Sequence, residues 1–370
     1  MRIMISGGGT GGHTSPAVAI IEELRRRDAK LATQWVGCRD AIEERVCTSL
    51  SIPFRSVSVQ GWPRKRMLRK GWAGAKLALA MLRCLGYIAR FRPQMVVGVG
   101  GYVSVPLVLT AQRLGIPTAI HEQNAKLGLA NRLLAQRARR VFLSYADTQG
   151  VYPRERAVVV GNPVRAGFTD PPDKGAACAT FSLDPVIPVV LVVGGSQGAR
   201  SINEAVKASI PNWQPGEVQF LWMTGTGYAA EARRVAERAR VPVQVFAFID
   251  EIVAACAAAD LIVGRAGASS AAEMATLGKP SILVPYPLAD NHQEENAKAF
   301  EQAGAAVILR DSDCTGERLL TEIRSLLHDT GRLATMGEAM SSFAKPDAAE
   351  AIVEELFMLV FGEPPSPTPP

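Results

Sequence analysis

The chain has 370 residues, of which 48% are hydrophobic and 21% are charged, with a net charge of +6 and a pI of about 9.1. Its length favours two domains of roughly 150–200 residues each, and its basic balance favours anionic partners. Six scattered cysteines without a Cys-x-x-Cys pair, together with only four histidines, argue against a disulfide framework and against a structural zinc site.

Short β-branched runs alternate with amphipathic helical stretches along the chain, which is typical of parallel βαβ units. The first half predicts helices at 16–27 and 73–92 and strands near 2–6, 33–37, 95–99, 117–121, 140–144 and 157–160. The second half predicts strands near 189–193, 218–223, 243–246, 260–263, 281–284 and 306–308. We therefore predict an α/β fold of two Rossmann-like domains, 1–164 and 165–345, whose strand ends face a shared cleft. A proline-rich tail at 362–370 is expected to be disordered.

The first strand runs directly into five glycines around one threonine, followed by His13. Because Arg2 precedes a short strand rather than a long apolar segment, we expect no secretory signal and a cytosolic protein. Ser15 and Pro16 fit the N-cap and first position of a helix. A strand, a glycine turn and a helix N-terminus together form a cradle for a phosphorylated ligand. His13 at its edge is a candidate general base, with helix capping or a solvent-facing ring as the alternative.

The same turn also satisfies a dinucleotide fingerprint through Gly7, Gly9 and Gly12, with Asp40 near the end of the second strand. This alternative predicts a nicotinamide-dependent oxidoreductase. The additional glycines, the histidine and the loop before Asp40 count against it.

Two further motifs follow strands of the first half. Gly98-Val-Gly-Gly-Tyr102 either serves a site or only permits close helix packing. His121-Glu-Gln-Asn124 places four polar side chains at a carboxyl strand end, where sites occur in open α/β sheets. We expect this tetrad to be functional.

The second half repeats the pattern with a glycine turn at 194–198 and with Gly264-Arg-Ala-Gly-Ala268 before a helix that starts near Ser269. Ser270 and Glu273 fit a capping box. The functional alternative places a diphosphate at this helix N-terminus and ribose hydroxyls on Glu273. Asp290-Asn-His-Gln293 offers amide and imidazole groups to hydroxyls, or it is an ordinary polar loop.

A basic and aromatic segment at 62–72 contains Arg64, Lys65, Arg66, Arg69 and Lys70 and leads into a helix rich in leucine. This combination is typical of contact with an anionic membrane surface. A solvated charge run on a core helix is the alternative. Nucleic acid is not expected as a partner, because no recognised module accompanies the charge.

Seven motifs in order and spacing resemble the MurG family of bacterial N-acetylglucosaminyltransferases over about residues 3–355. They are GGGTGGH (7–13), GVGGY (98–102), HEQN (121–124), GNPVR (161–165), GGSQGA (194–199), RAGASSAAE (265–273) and DNHQ (290–293). The resemblance implies the GT-B fold, with a C-terminal helix at 346–361 that returns to the first domain. It implies UDP-N-acetylglucosamine as donor, undecaprenyl-linked lipid I as acceptor, lipid II as product for peptidoglycan and cell-wall synthesis, and a peripheral location on the cytoplasmic face of the bacterial plasma membrane.

By the same resemblance His13 is the base of an inverting transfer. The implied donor-binding residues are Thr10, Gly11, Gly12, Asn124, Arg165, Ser196, Ile249, Ala268, Ser269, Ser270, Ala271, Ala272, Glu273 and Gln293. At 269–272 this chain has serines and alanines where other members have a more apolar or threonine-containing run, so only backbone N–H roles carry over there. No cofactor or metal is expected, because no carboxylate stands in the glycine turns at 7–12 and 194–198. A non-catalytic nucleotide-sugar binder at a membrane would keep the glycine turns but would not need His13.

Overall fold

The computed structural model describes residues 1–9, 11–60, 67–195, 197–287 and 292–362, and for 67–71 and 292 it describes the backbone only. The chain forms two compact units. The first comprises Met1–Ala166 and Lys345–Pro370, and the second comprises Gly167–Ala344. The boundary expected from the sequence, between 164 and 165, lies just before this division.

The first unit contains a seven-stranded sheet in the order β3-β2-β1-β4-β5-β6-β7, in which all neighbouring strands are parallel. Its strands are β1 (Arg2–Ser6), β2 (Ala32–Cys38), β3 (Phe54–Val57), β4 (Met95–Gly98), β5 (Thr118–Glu122), β6 (Arg140–Leu143) and β7 (Ala157–Val159). Apart from exposed Arg2 at the start of β1, the central strands β1, β4 and β5 are buried, as expected for a parallel sheet with helices on both faces. The short edge strand β3 was missing from the sequence prediction.

The second unit contains a six-stranded parallel sheet in the order β10-β9-β8-β11-β12-β13. Its strands are β8 (Val189–Val193), β9 (Gln219–Met223), β10 (Val243–Phe246), β11 (Leu261–Gly264), β12 (Ser281–Leu283) and β13 (Ala306–Ile308). All six lie within a residue or two of the predicted positions. A strand order that reverses direction beside the first strand is the mark of a Rossmann-like sheet.

Helices connect the strands in both units. In chain order they are α1 (Gly11–Arg27), α2 (Ile42–Ser49), α3 (Met67–Phe91), α4 (Ser104–Arg113), α5 (Leu129–Ala135), α6 (Lys174–Thr180), α7 (Arg200–Ser209), α8 (Ala229–Ala236), α9 (Ile252–Ala258), α10 (Ala268–Thr276), α11 (His292–Gln302), α12 (Gly316–His328), α13 (Thr330–Ser341) and α14 (Ala348–Phe361).

The C-terminal helix α14 packs on α1 in the first unit. Its residues Ile352, Val353, Leu356 and Phe357 share one buried cluster with residues of β1 and α1. Arg140 Nε donates to Glu355 Oε2 at 2.7 Å, and Arg27 forms an ion pair with Glu350. Apolar burial and two charged contacts therefore hold the end of the chain against the first sheet.

One predicted helix start and one predicted helix cap are wrong. Helix α1 begins at Gly11, so Ser15 and Pro16 lie inside it rather than at its N-cap and first position. The glycines themselves adopt helical geometry, which the Ser-Pro signal obscured. Helix α10 begins at Ala268 with Gly267 as its N-cap, so Ser270 lies inside the first turn and does not form the predicted capping box.

Helix α3 has apolar residues on two faces. Ala80, Cys84 and Ile88 are buried in the core, whereas Leu79 and Leu82 are 62% and 66% exposed. By length and composition, the stretch 72–91 is one that could cross a membrane, and 22% of it is buried inside the protein. The predicted basic segment 62–72 lies outside the described residues at 62–66, and side chains are described from Trp72 onward.

Candidate active site

Two buried side chains form hydrogen bonds with the backbone of the glycine turn in the first unit. Trp35 Nε1 donates to the carbonyl oxygen of Gly7 at 3.1 Å. Gly9 has a φ of +83°, and its N–H donates to Glu43 Oε2 at 3.1 Å. A Cβ on Gly8 would lie 2.3 Å from Glu43 Cδ, so only glycine fits against this buried carboxylate. Glu43 was not predicted as part of the site, because in the sequence it resembles an ordinary first-turn acid of α2.

His13 lies in the first turn of α1, half-buried, with its ring against the second glycine motif. Its Nδ1 is 3.0 Å from Gln123 Oε1. Gly100 and Gly101 have φ values of +92° and +74°, and a Cβ on Gly100 would lie 2.7 Å from His13 Nδ1. A Cβ on Gly101 would lie 3.2 Å from His13 Cδ2. These two glycines therefore make room for the imidazole, which gives the motif at 98–102 more than a helix-packing role.

Glu122 is a buried structural carboxylate. Its Oε1 accepts from the backbone N–H and the Nδ2 of Asn124, at 3.1 and 2.9 Å. Its Oε2 accepts from the backbone N–H of Gly128 and from Asn131 Nδ2, both at 2.9 Å. Four donors occupy its lone pairs, so Glu122 organises the loop after β5. Asn124 is half-buried and, within the described part of the chain, its Oδ1 is the polar atom left for a ligand.

Other predicted residues of the first unit belong to α1 and to the stretch that follows β7. Gly11 and Gly12 are the first two residues of α1, and Arg165 is half-buried at the end of the stretch that follows β7. Arg165 belongs to the first unit, although the predicted boundary placed it in the second. Thr10 and Ser196 lie outside the described residues.

The glycine turn of the second unit packs against the loop that follows β9. A Cβ on Gly198, whose φ is +77°, would lie 2.1 Å from the carbonyl oxygen of Thr224. A Cβ on Gly194 would lie 2.5 Å from the backbone nitrogen of Ala199. The turn leads directly into α7, so this unit repeats the strand, glycine turn and helix of the first.

Helix α10 supplies a second N-terminus in this unit. The N–H of Ala271 makes its first internal bond, to the carbonyl oxygen of Gly267 at 2.9 Å. The N–H groups of the first turn point out of the N-terminal end of the helix, where its dipole is positive. Ala268, Ser269 and Ala271 are buried, whereas Ser270, Ala272 and Glu273 are half-buried. The arrangement provides backbone donors to an anion, with the Glu273 carboxylate one turn further on.

Two other predicted residues lie in loops of the second unit. The N–H of buried Ile249 points at Met223 Sδ, 3.4 Å away. A thioether is a weak acceptor, so a carbonyl oxygen could replace it at little cost. Gln293 Oε1 accepts from the backbone N–H of Tyr286 at 2.9 Å, which fixes the start of the loop after β12. Of the motif at 290–293, Asp290 and Asn291 lie outside the described residues.

Arg265 and Asp311 form an ion pair that was not predicted from the sequence. Arg265 donates to the carbonyl oxygen of Val284 at 3.0 Å and to Asp311, which also accepts from Ser201. Burial acts to raise the pKa of Asp311, but the bonds from Ser201 and Arg265 outweigh it and lower that pKa. Asp311-Ser312-Asp313 is an Asp-x-Asp tripeptide, which the expectation of a metal-free site had overlooked. Its first carboxylate, that of Asp311, is already bound to Arg265 and Ser201.

Two α/β units with parallel strands, each with a glycine turn and a helix N-terminus after its first strand, define a protein built of two Rossmann-type domains. The N-terminal domain model of glycosyltransferase family 28 matches residues 3–143, and its C-terminal domain model matches residues 189–352. The chain belongs to this family, in the MurG group. The predicted fold class and family are thus confirmed.

Curated relatives match over nearly their full length. Those from Lactiplantibacillus plantarum and Bacteroides thetaiotaomicron are each 37% identical, and the matches cover 96% and 98% of this chain and 99% of each relative. Both are named UDP-N-acetylglucosamine–N-acetylmuramyl-(pentapeptide) pyrophosphoryl-undecaprenol N-acetylglucosamine transferase. The crystal structure of Acinetobacter baumannii MurG is 30% identical, with a TM-score of 0.70 over 95% of this chain and 97% of that one.

Proposed function

We propose that this protein transfers N-acetylglucosamine from UDP-N-acetylglucosamine to the C4 hydroxyl of the muramoyl sugar of lipid I. The product is lipid II, the disaccharide precursor of peptidoglycan. The observation that carries the proposal is full-length similarity to relatives named for this transfer, together with a histidine held at the glycine turn. The transferase names of these relatives argue against the nicotinamide alternative.

The transfer proceeds with inversion at the anomeric carbon. His13 Nε2 takes the proton of the C4 hydroxyl, and the oxygen attacks the anomeric carbon from the face opposite UDP. The new glycosidic bond forms as the bond to the diphosphate oxygen breaks, and UDP leaves with the negative charge. The N-terminal N–H groups of α10 are suited to stabilise that charge.

Donor-binding roles are proposed for individual residues of each unit. Asn124 Oδ1 accepts from a sugar hydroxyl, Glu273 accepts from the ribose hydroxyls, and the Ile249 backbone meets the uracil. Gln293 contributes to the sugar hydroxyls through the amide group that also fixes the loop after β12. Arg165 and Ser196 complete the nucleotide contacts.

We also propose that the protein works as a peripheral protein on the anionic, cytoplasmic face of the plasma membrane. A polyprenyl-linked acceptor stays in the bilayer, so the enzyme must reach its surface. The core contacts of Ala80, Cys84 and Ile88 keep α3 on the first unit, while Leu79 and Leu82 point outward. Such a helix suits insertion into the interface rather than crossing of the bilayer.

The test is a transfer assay with UDP-N-acetylglucosamine and a lipid I analogue with a shortened chain. His13→Ala should lower kcat by roughly 10²–10⁴-fold, the usual contribution of a general base, with unchanged donor affinity. His328→Ala, which removes an exposed histidine, is the matched control. Thermal stabilisation by NADH but not by UDP-N-acetylglucosamine would contradict the proposed donor. Normal turnover in His13→Ala would contradict the assignment of His13 as the base.

A further inference from the structure

Four sequence motifs of the first unit meet in one hydrogen-bonded chain that runs from the backbone of Gly161 to His13. We propose that His121 and Gln123 are positioning residues that hold the proton of His13 on Nδ1 and so leave Nε2 as the base. The role of Nε2 as a base rests on the proposed function. The protonation pattern itself rests on the geometry alone.

The chain starts at a backbone carbonyl. His121 Nε2 lies 2.9 Å from the carbonyl oxygen of Gly161, which can only accept, so Nε2 carries a hydrogen. His121 is fully buried, and this burial lowers its pKa to about 4. The ring is therefore neutral near pH 7, and its Nδ1 has a lone pair.

The amide of Gln123 has one orientation that fits its neighbours. Its Nε2 lies 2.9 Å from the carbonyl oxygen of Val99 and 3.0 Å from His121 Nδ1, which are both acceptors. A flipped amide would place its oxygen against the Val99 oxygen and against the His121 lone pair. Both hydrogens of Nε2 are used in this way, and Oε1 is directed at His13.

The last bond sets the state of His13. Gln123 Oε1 can only accept, and it lies 3.0 Å from His13 Nδ1, so Nδ1 must donate. In a neutral imidazole the other nitrogen then has the lone pair. Gly100 and Gly101 lie against the ring and keep it in the plane that makes this bond. Because Gln123 is 2% exposed, water cannot readily replace its amide.

The direct test is the imidazole ¹⁵N spectrum of the full-length protein without substrate. The chain has four histidines, so ¹⁵N-histidine labelling gives few signals, and single His→Gln variants assign them. Long-range ¹H–¹⁵N correlations at pH 7.5 should show His13 protonated on Nδ1 and His121 protonated on Nε2. A wild-type spectrum with the proton of His13 on Nε2 would overturn the proposal.

Two variants test the consequence for transfer. Gln123→Met removes the acceptor, so His13 should become a mixture of tautomers and kcat should fall about 10- to 100-fold, a part of the general-base contribution. The KM for UDP-N-acetylglucosamine should stay the same. Gln123→Glu places a carboxylate beside Nδ1 and should move the acid limb of the kcat profile to higher pH by roughly one unit or more.

The matched control is Gln112→Met. Gln112 is a half-buried glutamine of the first unit, whose amide donates to the carbonyl oxygen of Leu134 and to Thr118 Oγ1. It should leave the His13 spectrum and the acid limb unchanged. If Gln123→Met changes neither, the proposal is wrong. If the wild-type protein shows the expected spectrum but transfers no sugar, the positioning of His13 by Gln123 is supported and the proposed function is contradicted.

Discussion

At the scale of single residues, His121 is a buried base that makes stability depend on pH. Burial lowers its folded-state pKa to about 4, against an ordinary value of 6.5. Above pH 6.5 the ring is neutral whether the protein is folded or unfolded, so His121 adds no pH dependence there. As the pH falls from 6.5 towards 4, the unfolded chain takes up a proton that the folded protein does not, and stability is lost.

We predict that the free energy of unfolding falls by roughly 3 kcal/mol through this group between pH 6.5 and 4, at about 1.4 kcal/mol per pH unit. In His121→Gln, whose amide can still donate to Gly161, that part of the pH dependence should disappear. Urea unfolding at several pH values measures it, and His328→Gln is the control. An equally steep pH dependence in His121→Gln would show that other groups cause it.

The tetrad at 121–124 also shows what residue types can and cannot predict. The polar run at a carboxyl strand end predicted a functional tetrad, and the structure shows its four side chains in hydrogen bonds with each other and with neighbouring residues. Which of the four side chains bind other protein groups, and which can bind a ligand, was not predictable, because it depends on partners elsewhere in the chain. Glu122 is engaged by Gly128 and Asn131, and Gln123 by Val99 and His13, so Asn124 is the member with an atom left for a ligand.

At the scale of elements, the turns after strands gain their specificity from glycines. We predict that Gly100→Ala displaces the His13 ring and lowers kcat by roughly a hundredfold, the cost of about 1 Å of misplacement. Gly115→Ala is the control, because Gly115 also has a positive φ (+72°) but has no neighbour within 4 Å of an added Cβ. Both variants should lose about 1 kcal/mol of stability from backbone strain. Equal kcat in the two variants would argue against contact with the ring.

Helix α10 carries the corresponding prediction for the nucleotide. If Glu273 accepts from the ribose hydroxyls, Glu273→Ala should weaken donor binding by about 2–3 kcal/mol, roughly 30- to 150-fold in Kd. Titration calorimetry with UDP-N-acetylglucosamine measures this directly. Glu237→Ala, at an exposed carboxylate just after α8, should leave the Kd unchanged. A normal Kd in Glu273→Ala would show that Glu273 does not bind the ribose.

Strand positions were predictable because buried parallel strands consist of short β-branched runs such as Val189–Val193. The edge strand Phe54–Val57 was missed, since it has one buried residue and no alternating pattern. The start of α1 was missed for a different reason. Glycines disfavour helices in general, but here buried Glu43 and the carbonyl contact of Trp35 hold the turn from which the helix begins.

At the scale of the whole molecule, the two units share a plan but differ in what their turns present. The first unit places a titratable group, His13, in a hydrogen-bonded chain that ends on the backbone. The second unit has a glycine turn before α7 and a second helix N-terminus at α10, with the Glu273 carboxylate in that helix and Arg265 paired with Asp311. Sugar transfer from a nucleotide requires a proton acceptor and hydrogen-bond donors that stabilise an anion. The first unit provides the acceptor, and the second provides the donors.

The membrane proposal also concerns the whole molecule, because attachment must leave the nucleotide half unaffected. Each basic residue near an anionic leaflet contributes on the order of 1 kcal/mol, and the outward leucines of α3 add apolar contact. The attraction should weaken as salt rises, since the Debye length is about 10 Å at 0.1 M. Two separable contributions are therefore expected, one sensitive to salt and one not.

We predict that two variants separate these contributions in vesicle sedimentation. Glutamine at the five basic positions should abolish the salt-sensitive binding to phosphatidylglycerol vesicles; these positions are Arg64, Lys65, Arg66, Arg69 and Lys70. Leu79→Ser with Leu82→Ser should weaken binding at high salt as well, and donor affinity should stay unchanged in both variants. The control neutralises four exposed arginines of the second unit, namely Arg233, Arg234, Arg238 and Arg240. If vesicle binding falls as far in the control as in the five-residue variant, net charge rather than this segment directs the protein to the membrane.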